Sequence, residues 1–150
     1  MTAESEFLRY SANKLRGQCA QIEECIGKLT PQQVWVRGGE AQNAAGNLLL
    51  HLTGNLRQWI LNGVDGQAIQ RDRDAEFAAR GGVAPEALVR DLRQAVEAAC
   101  TVIESLPPAR LTEQVHVLRE DVTVLEAIYH VVQHFSGHTG QILFLTKALQ

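Results

Sequence analysis

Seven apolar residues set the terms for this chain. Leu8, Ala12, Leu15, Cys19, Ile22, Ile26 and Leu29 recur at spacings of 4, 3, 4, 3, 4 and 3. An α-helix gathers residues so spaced onto one seam, and such a seam packs nearly antiparallel against a neighbouring helix. Pro31 cannot continue the helix, so a break is expected near Leu29–Thr30. The pattern returns later: Leu88, Leu92, Ala95, Ala99, Val102 and Leu106 repeat at 4, 3, 4, 3 and 4. That helix is expected to begin at Pro85, with Glu86 beside its positive end, and to stop at Pro107-Pro108.

Two more helices are predicted. In the segment Asn43 to Asn62, Leu49, Leu52, Leu56, Trp59 and Ile60 fall in one sector at ~100° per residue. The last helix runs from about Thr123 to Ala148, with Thr123 as N-cap and Glu126 as its capping-box partner. Asp65 to Gly82 reads as a long polar connection with one helical turn, its run Arg71-Asp72-Arg73-Asp74 as a solvated face. Gln114 to Val124 alternates loosely, as a short hairpin around Glu120-Asp121 would. The expectation is all-α: a four-helix bundle in a single domain over residues 1–150. The long middle connection leaves room for a topology other than up-down-up-down.

Composition narrows the setting. With 14 Lys and Arg against 17 Asp and Glu, the net charge of −3 gives no attraction to nucleic acid or an anionic membrane, and there is no basic stripe. Three cysteines (Cys19, Cys25, Cys100) without C-x-x-C spacing read as small buried hydrophobes in a reducing compartment. No apolar run approaches the ~20 residues of a membrane span. Glu4 and Glu6 stand where a signal peptide would be basic, so a cytoplasmic address is expected.

The histidines carry the chemistry. His130, His134 and His138 follow one another at i, i+4 and i+8 on the last helix. Neighbours four apart share a face and can converge on one metal ion, whereas His130 and His138 are separated by ~12 Å along the axis. The pair is therefore either 130/134 or 134/138. A third ligand must come from another helix, and His51 is the candidate. Asn47, Asn55, Gln58 and Asn62 lie within ~40° of it, and His130, His134, His138 and Gln141 form a matching neutral stripe. Two such stripes meeting inside a bundle need partners, at about 1–3 kcal/mol per unsatisfied group, which a shared ligand or ion supplies. Gly137 and Gly140 flank His138 and imply either close helix approach or room for a ligand. His116 reads as loop surface, and Trp35 and Trp59 as core.

The segments Asn47-Leu-Leu-Leu-His51-Leu-Thr-Gly-Asn55-Leu-Arg-Gln-Trp59-Ile and His134-Phe-Ser-Gly-His138-Thr-Gly-Gln141-Ile resemble the second and last helices of the DinB-like superfamily of metal-dependent four-helix proteins. The stretch Arg71-Asp-Arg-Asp74-Ala-Glu-Phe is similar to a subgroup of unassigned function. The resemblance implies an up-down-down-up bundle, one divalent ion (zinc or nickel) on His51, His134 and His138, and a homodimer. His130, one turn earlier, would then line the site or support one of its ligands. Superfamily members with known activity use a low-molecular-weight thiol, as bacillithiol S-transferases and mycothiol-dependent isomerases do.

Three neutral imidazoles leave the charge of a divalent ion uncompensated and a coordination position open, the pattern of a catalytic rather than a structural site. Such an ion activates water for hydrolysis or holds a thiol as thiolate for S-transfer. The glutamate that follows the first histidine in zinc proteases is replaced by Phe135, which argues against peptide hydrolysis. Asn55 and Gln141 are candidates for orienting ligands, and no general base stands out. Two functions are expected: a metalloenzyme acting on a small molecule by thiol transfer or hydrolysis, or a non-catalytic metal- or ligand-binding dimer related to stress. A solvent-connected pocket beside the ion favours the first.

Overall fold

The computed structural model describes residues 1–150. The chain is mostly helical. Helix α1 spans Ala3–Gly27, with Thr2 capping the backbone N–H of Ser5. Pro31 ends the seam as expected and also opens a short helix, α2 (Pro31–Val34), in the first-turn position where its missing N–H costs nothing. Helix α3 (Ala45–Leu56) passes without a break into a π-helical segment, Arg57–Val64. The Asp65 N–H donates to the Ile60 carbonyl five residues back, at 3.0 Å, the wider turn's signature. Consecutive Trp59, Ile60 and Leu61 are all buried there.

The connection that follows holds α4 (Arg73–Ala78), capped by Asp72. Helix α5 (Pro85–Ser105) then begins and ends where the prolines require, and a 3-10 turn occupies Pro108–Thr112. Strands β1 (Gln114–Val117) and β2 (Glu120–Thr123) form an antiparallel hairpin with Gln114 opposite Thr123 and Val117 opposite Glu120. The all-α expectation is corrected to this extent. The turn falls at Leu118-Arg119 rather than Glu120-Asp121, because Leu118 adopts the left-handed conformation (φ 58°). Gly63 makes room for the hairpin: a Cβ there would lie 2.4 Å from Val117 Cγ2. Helix α6 (Val124–Ala148) starts with the expected capping box: Glu126 N–H donates to Thr123 Oγ1 (3.1 Å), and Thr123 N–H to Glu126 Oε2 (2.7 Å).

The long helices share one core. Helix α1 packs on α5 and α6, and α3 packs on the same two from the other side. The seam residues Leu15, Ile22, Leu92 and Ala99 are fully enclosed, and so is Ile103 beside the second seam. Cys19, Cys25 and Cys100 are buried and unpaired, as small hydrophobes. Full burial of one such aliphatic side chain is worth about 1.5–3 kcal/mol, so these seams fix which helix faces meet. No helix is long and apolar enough to cross a membrane.

Candidate metal centre

Helices α3 and α6 run in opposite directions where they meet. His51 lies against His134 and His138, while Trp59, two turns further along, lies against His130. This places the ring nitrogens of three histidines together. His51 Nε2 is 2.9 Å from His134 Nε2, and His138 Nε2 is 3.2 Å from the same atom. All three ligand atoms lie within 4.8 Å of one another. Two nitrogens bound at about 2.0–2.1 Å to one tetrahedral ion stand roughly 3.3 Å apart, so the cluster has the scale of a metal site.

Proton bookkeeping shows that the cluster fits a cation. His51 Nδ1 lies 3.1 Å from Glu76 Oε1 and 3.3 Å from Arg71 Nη2; the carboxylate only accepts and is the nearer, and Arg71 Nη2 already donates to it, so the proton is assigned to Nδ1 and Nε2 is left as a bare lone pair. His138 Nδ1 donates to Gln141 Oε1 at 2.6 Å, which leaves its Nε2 in the same state. His134 Nε2 faces both lone pairs and can offer a proton to only one of them. A cation satisfies all three nitrogens at once. His134 Nδ1 is buried without a partner.

The site is electrostatically ready for a cation. Burial pushes the His134 imidazole down to about 3, and its neighbours His138, His51, His130 and Arg71 add to the effect. Burial also lowers His138, against the pull of its bond to Gln141. Both rings are therefore neutral at pH 7, as ligands must be.

Of the two possible pairs on α6, the structure assembles 134/138, whose rings meet at 81° with centroids 4.5 Å apart. His130 stacks nearly parallel to His134 (20°, 5.8 Å) and rests on Trp59 at 4.1 Å. Ring lone pairs lie in the ring plane, so parallel stacked rings do not aim at one point. Trp59 is core, as expected, and is also the wall behind His130. His116 is exposed, on strand β1 rather than a loop, and pairs across the hairpin with Asp121.

The remaining stripe on α3 departs from expectation. Asn47 is completely buried, yet it serves the connection rather than the histidines. Its amide donates to the carbonyls of Glu76 (2.9 Å) and Ala79 (2.8 Å), and its oxygen accepts from Ala44 N–H and Arg37. Asn62 donates to the Gln67 carbonyl. Asn55 is buried one turn beyond His51, and Gln141 does orient His138.

The run Arg71–Asp74 is not uniformly a solvated face. Asp74 is exposed and Asp72 caps α4, but the Arg71 side chain is only 7% exposed. Its guanidinium grips Glu76 with both Nε (2.9 Å to Oε2) and Nη2 (3.0 Å to Oε1). Burial alone would raise the Glu76 carboxyl; hydrogen bonds from His51 and Arg71 outweigh it and hold the group below its ordinary range. Sequence reasoning missed both residues. The available signal was Phe77, a lone aromatic in a polar stretch, whose ring packs on His51 at 4.7 Å.

Gly137 and Gly140 do not mediate close helix approach, since no atom comes within 4 Å of a Cβ built at either. They open a groove of about 590 Å³, whose lining includes Gln42, Asn43, Leu48, Gln141 and Phe144. Gln141 thus joins the groove to His138. In zinc proteases a glutamate follows the first histidine of the pair; here Phe135 occupies that place and is sealed in the core.

Comparison with solved structures supports the fold. A DinB-like protein from Bacillus cereus aligns over 88% of this chain and 85% of its own, with 13% identity and a TM-score of 0.69. A DinB-like protein from Bacillus subtilis aligns over 93% and 92%, with 14% identity and a TM-score of 0.70. A comparison with curated proteins yields no match. A family model described as "Protein of unknown function (DUF1572)" matches residues 2–150. The chain has the DinB-like fold and belongs to the DUF1572 family.

Proposed function

We propose that this protein binds one divalent metal ion through His51, His134 and His138 and uses it in a reaction on a small molecule. The observation that carries the reading is the meeting of three Nε2 atoms whose protons are excluded by acceptors on two of the far nitrogens. A divalent ion held by three neutral imidazoles supplies Lewis-acid activation of water or of a thiol. The residues around it orient the rings and keep them neutral. Zinc and nickel both suit imidazole donors.

The protein is read as an enzyme rather than a purely binding protein, with the groove as its substrate site. The groove is open to solvent and of a volume suited to a small ligand; none of the three histidines lines it, and its link to them is Gln141, which holds the far nitrogen of His138. Its lining carries no formal charge, which supports an uncharged substrate. Thiol transfer fits this setting better than peptide hydrolysis, given Phe135. We further propose that the four long helices form an up-down-down-up bundle and that the protein is a homodimer. The exposed aromatic rings of Tyr129 and Phe144 on α6 support the dimer.

The test is the metal content of protein purified without an affinity tag. About one divalent ion per chain is expected in the wild type, with loss in both His51→Ala and His134→Ala. Stoichiometric metal retained in both variants would remove the assignment.

A further inference from the structure

We infer that Glu76, held in place by Arg71, is the positioning residue of this centre. It sets the tautomer and direction of His51 without touching the ion. The inference rests on the metal reading above and adds a residue from a third element, the connection between the π-helical segment and α5.

Glu76 cannot itself be a ligand beside His51 Nε2. Its carboxylate meets Nδ1, on the other side of the imidazole from the nitrogen that faces His134. This acceptor at 3.1 Å, nearer than the Arg71 Nη2 at 3.3 Å, fixes the proton on Nδ1 and leaves the lone pair on Nε2, the arrangement by which carboxylates orient ligating histidines. The next residue completes the grip, since Phe77 covers one face of the same ring. His51 is thus held by edge and by face from two successive residues of α4.

The rest of the chain is built around this contact. The Glu76 side chain is 10% exposed, and a lone carboxylate so enclosed would be costly without a counter-charge. Arg71 supplies it with a two-pronged bond that leaves Oε1 shared between its own Nη2 and His51 Nδ1. Helix α3 makes space for the pair at Gly54, where a Cβ would stand 2.1 Å from Glu76 Oε2 and 2.7 Å from Arg71 Nε. The C-terminal carbonyls of α4 are tied down by Asn47 and by Arg37, which reaches the Phe77 carbonyl at 2.7 Å. Six residues form too short a helix to hold itself, so these anchors place Glu76. Neither partner histidine is treated alike: His138 has a neutral amide, and His134 Nδ1 has no partner.

The experiment compares the wild type, Glu76→Gln, and the double variant Glu76→Leu/Arg71→Met. The double variant removes both charges together, which preserves folding where a single deletion would strand the other charge. Cobalt(II) and zinc titrations of metal-free protein give the affinities, and ¹⁵N–¹H correlation of the imidazole nitrogens in the metal-free state gives the tautomers. The wild type is expected to show His51 protonated on Nδ1. In the double variant that signature gives way to a mixture while the His138 signals stay put, and metal affinity falls about 10–100-fold. Glu76→Gln, which keeps an acceptor but loses the charge, is expected to lie between the two. A folded double variant with unchanged His51 tautomer and wild-type affinity overturns the inference and leaves the metal site standing. A wild type that binds neither metal overturns both.

Discussion

Replacing Gly54 by alanine puts two opposing effects in one methyl group. Position 54 lies inside α3, where alanine is favoured over glycine by about 1 kcal/mol. The same methyl would lie 2.1 Å from Glu76 Oε2, 2.7 Å from Arg71 Nε and 3.0 Å from Glu76 Cδ. Ordinary contact begins at roughly 3.5 Å, so the carboxylate must retreat by more than about 1 Å. The bonds it would abandon are already at 2.9–3.1 Å, and a shift of that size takes them beyond hydrogen-bonding range. Disrupting a buried ion pair costs about 3–5 kcal/mol. The pair wins over propensity, and the net loss is about 2–4 kcal/mol. At this chain length that lowers Tm by roughly 5–15 °C. Thermal melts of the metal-free protein followed by circular dichroism measure it. A Tm equal to or above that of the wild type would refute the reasoning, since helix propensity alone would then decide the outcome.

Other outcomes follow from the same structure. Gly140→Ala has open space around the new methyl and is expected to stabilise by about 0.5–1 kcal/mol, seen as a Tm rise of roughly 1–4 °C; a fall would mean that the helix is strained there. In metal-free protein His134 stays neutral down to about pH 3, whereas an unfolded histidine protonates near 6.5. The unfolded chain binds more protons between those values, so stability is full above about pH 6.5 and falls as the pH drops through that window. The loss is about 1.4 kcal/mol per pH unit, roughly 2 kcal/mol between pH 6.5 and 5, and a melting temperature unchanged between pH 7 and 5 would contradict it. Burial also pushes the Cys19 and Cys100 thiols up to about 12. A disulfide reagent is expected to label none of the three thiols in native protein and all of them in denaturant; rapid native labelling would contradict the packing.

The parts of this fold that were legible in the sequence share one cause: their signal is periodic and local. The seams from Leu8 to Leu29 and from Leu88 to Leu106 specify helix and buried face together, and the Thr123/Glu126 pair marks a helix start. Histidine spacing narrowed the α6 ligands to two pairs, because four residues of helix return to one face. The π-helical segment left only a trace: Trp59, Ile60 and Leu61 cannot all face one ~100° sector of an α-helix, yet all are buried. Glu76 and Arg71 were illegible because their burial depends on a glycine some twenty residues earlier and on carbonyls held by Asn47. A charge run reads the same in sequence whether it meets water or folds back onto α3. Asn47 was misread for the same reason, since its partners are main-chain groups of the connection rather than side chains with a pattern.

Helix α4 rests on α3 alone among the long helices with substantial contact, so it can come away without opening the core the long helices share. That arrangement makes the connection and the histidine cluster reciprocal. Whatever free energy the closed connection lends to the grip on a cation, the bound cation must return, in equal amount, to closure of the connection. Loading the site should therefore slow amide exchange most steeply across residues 71–79, far more than in α1 or α5. A ligand able to displace that short helix would loosen the ion without ever touching it.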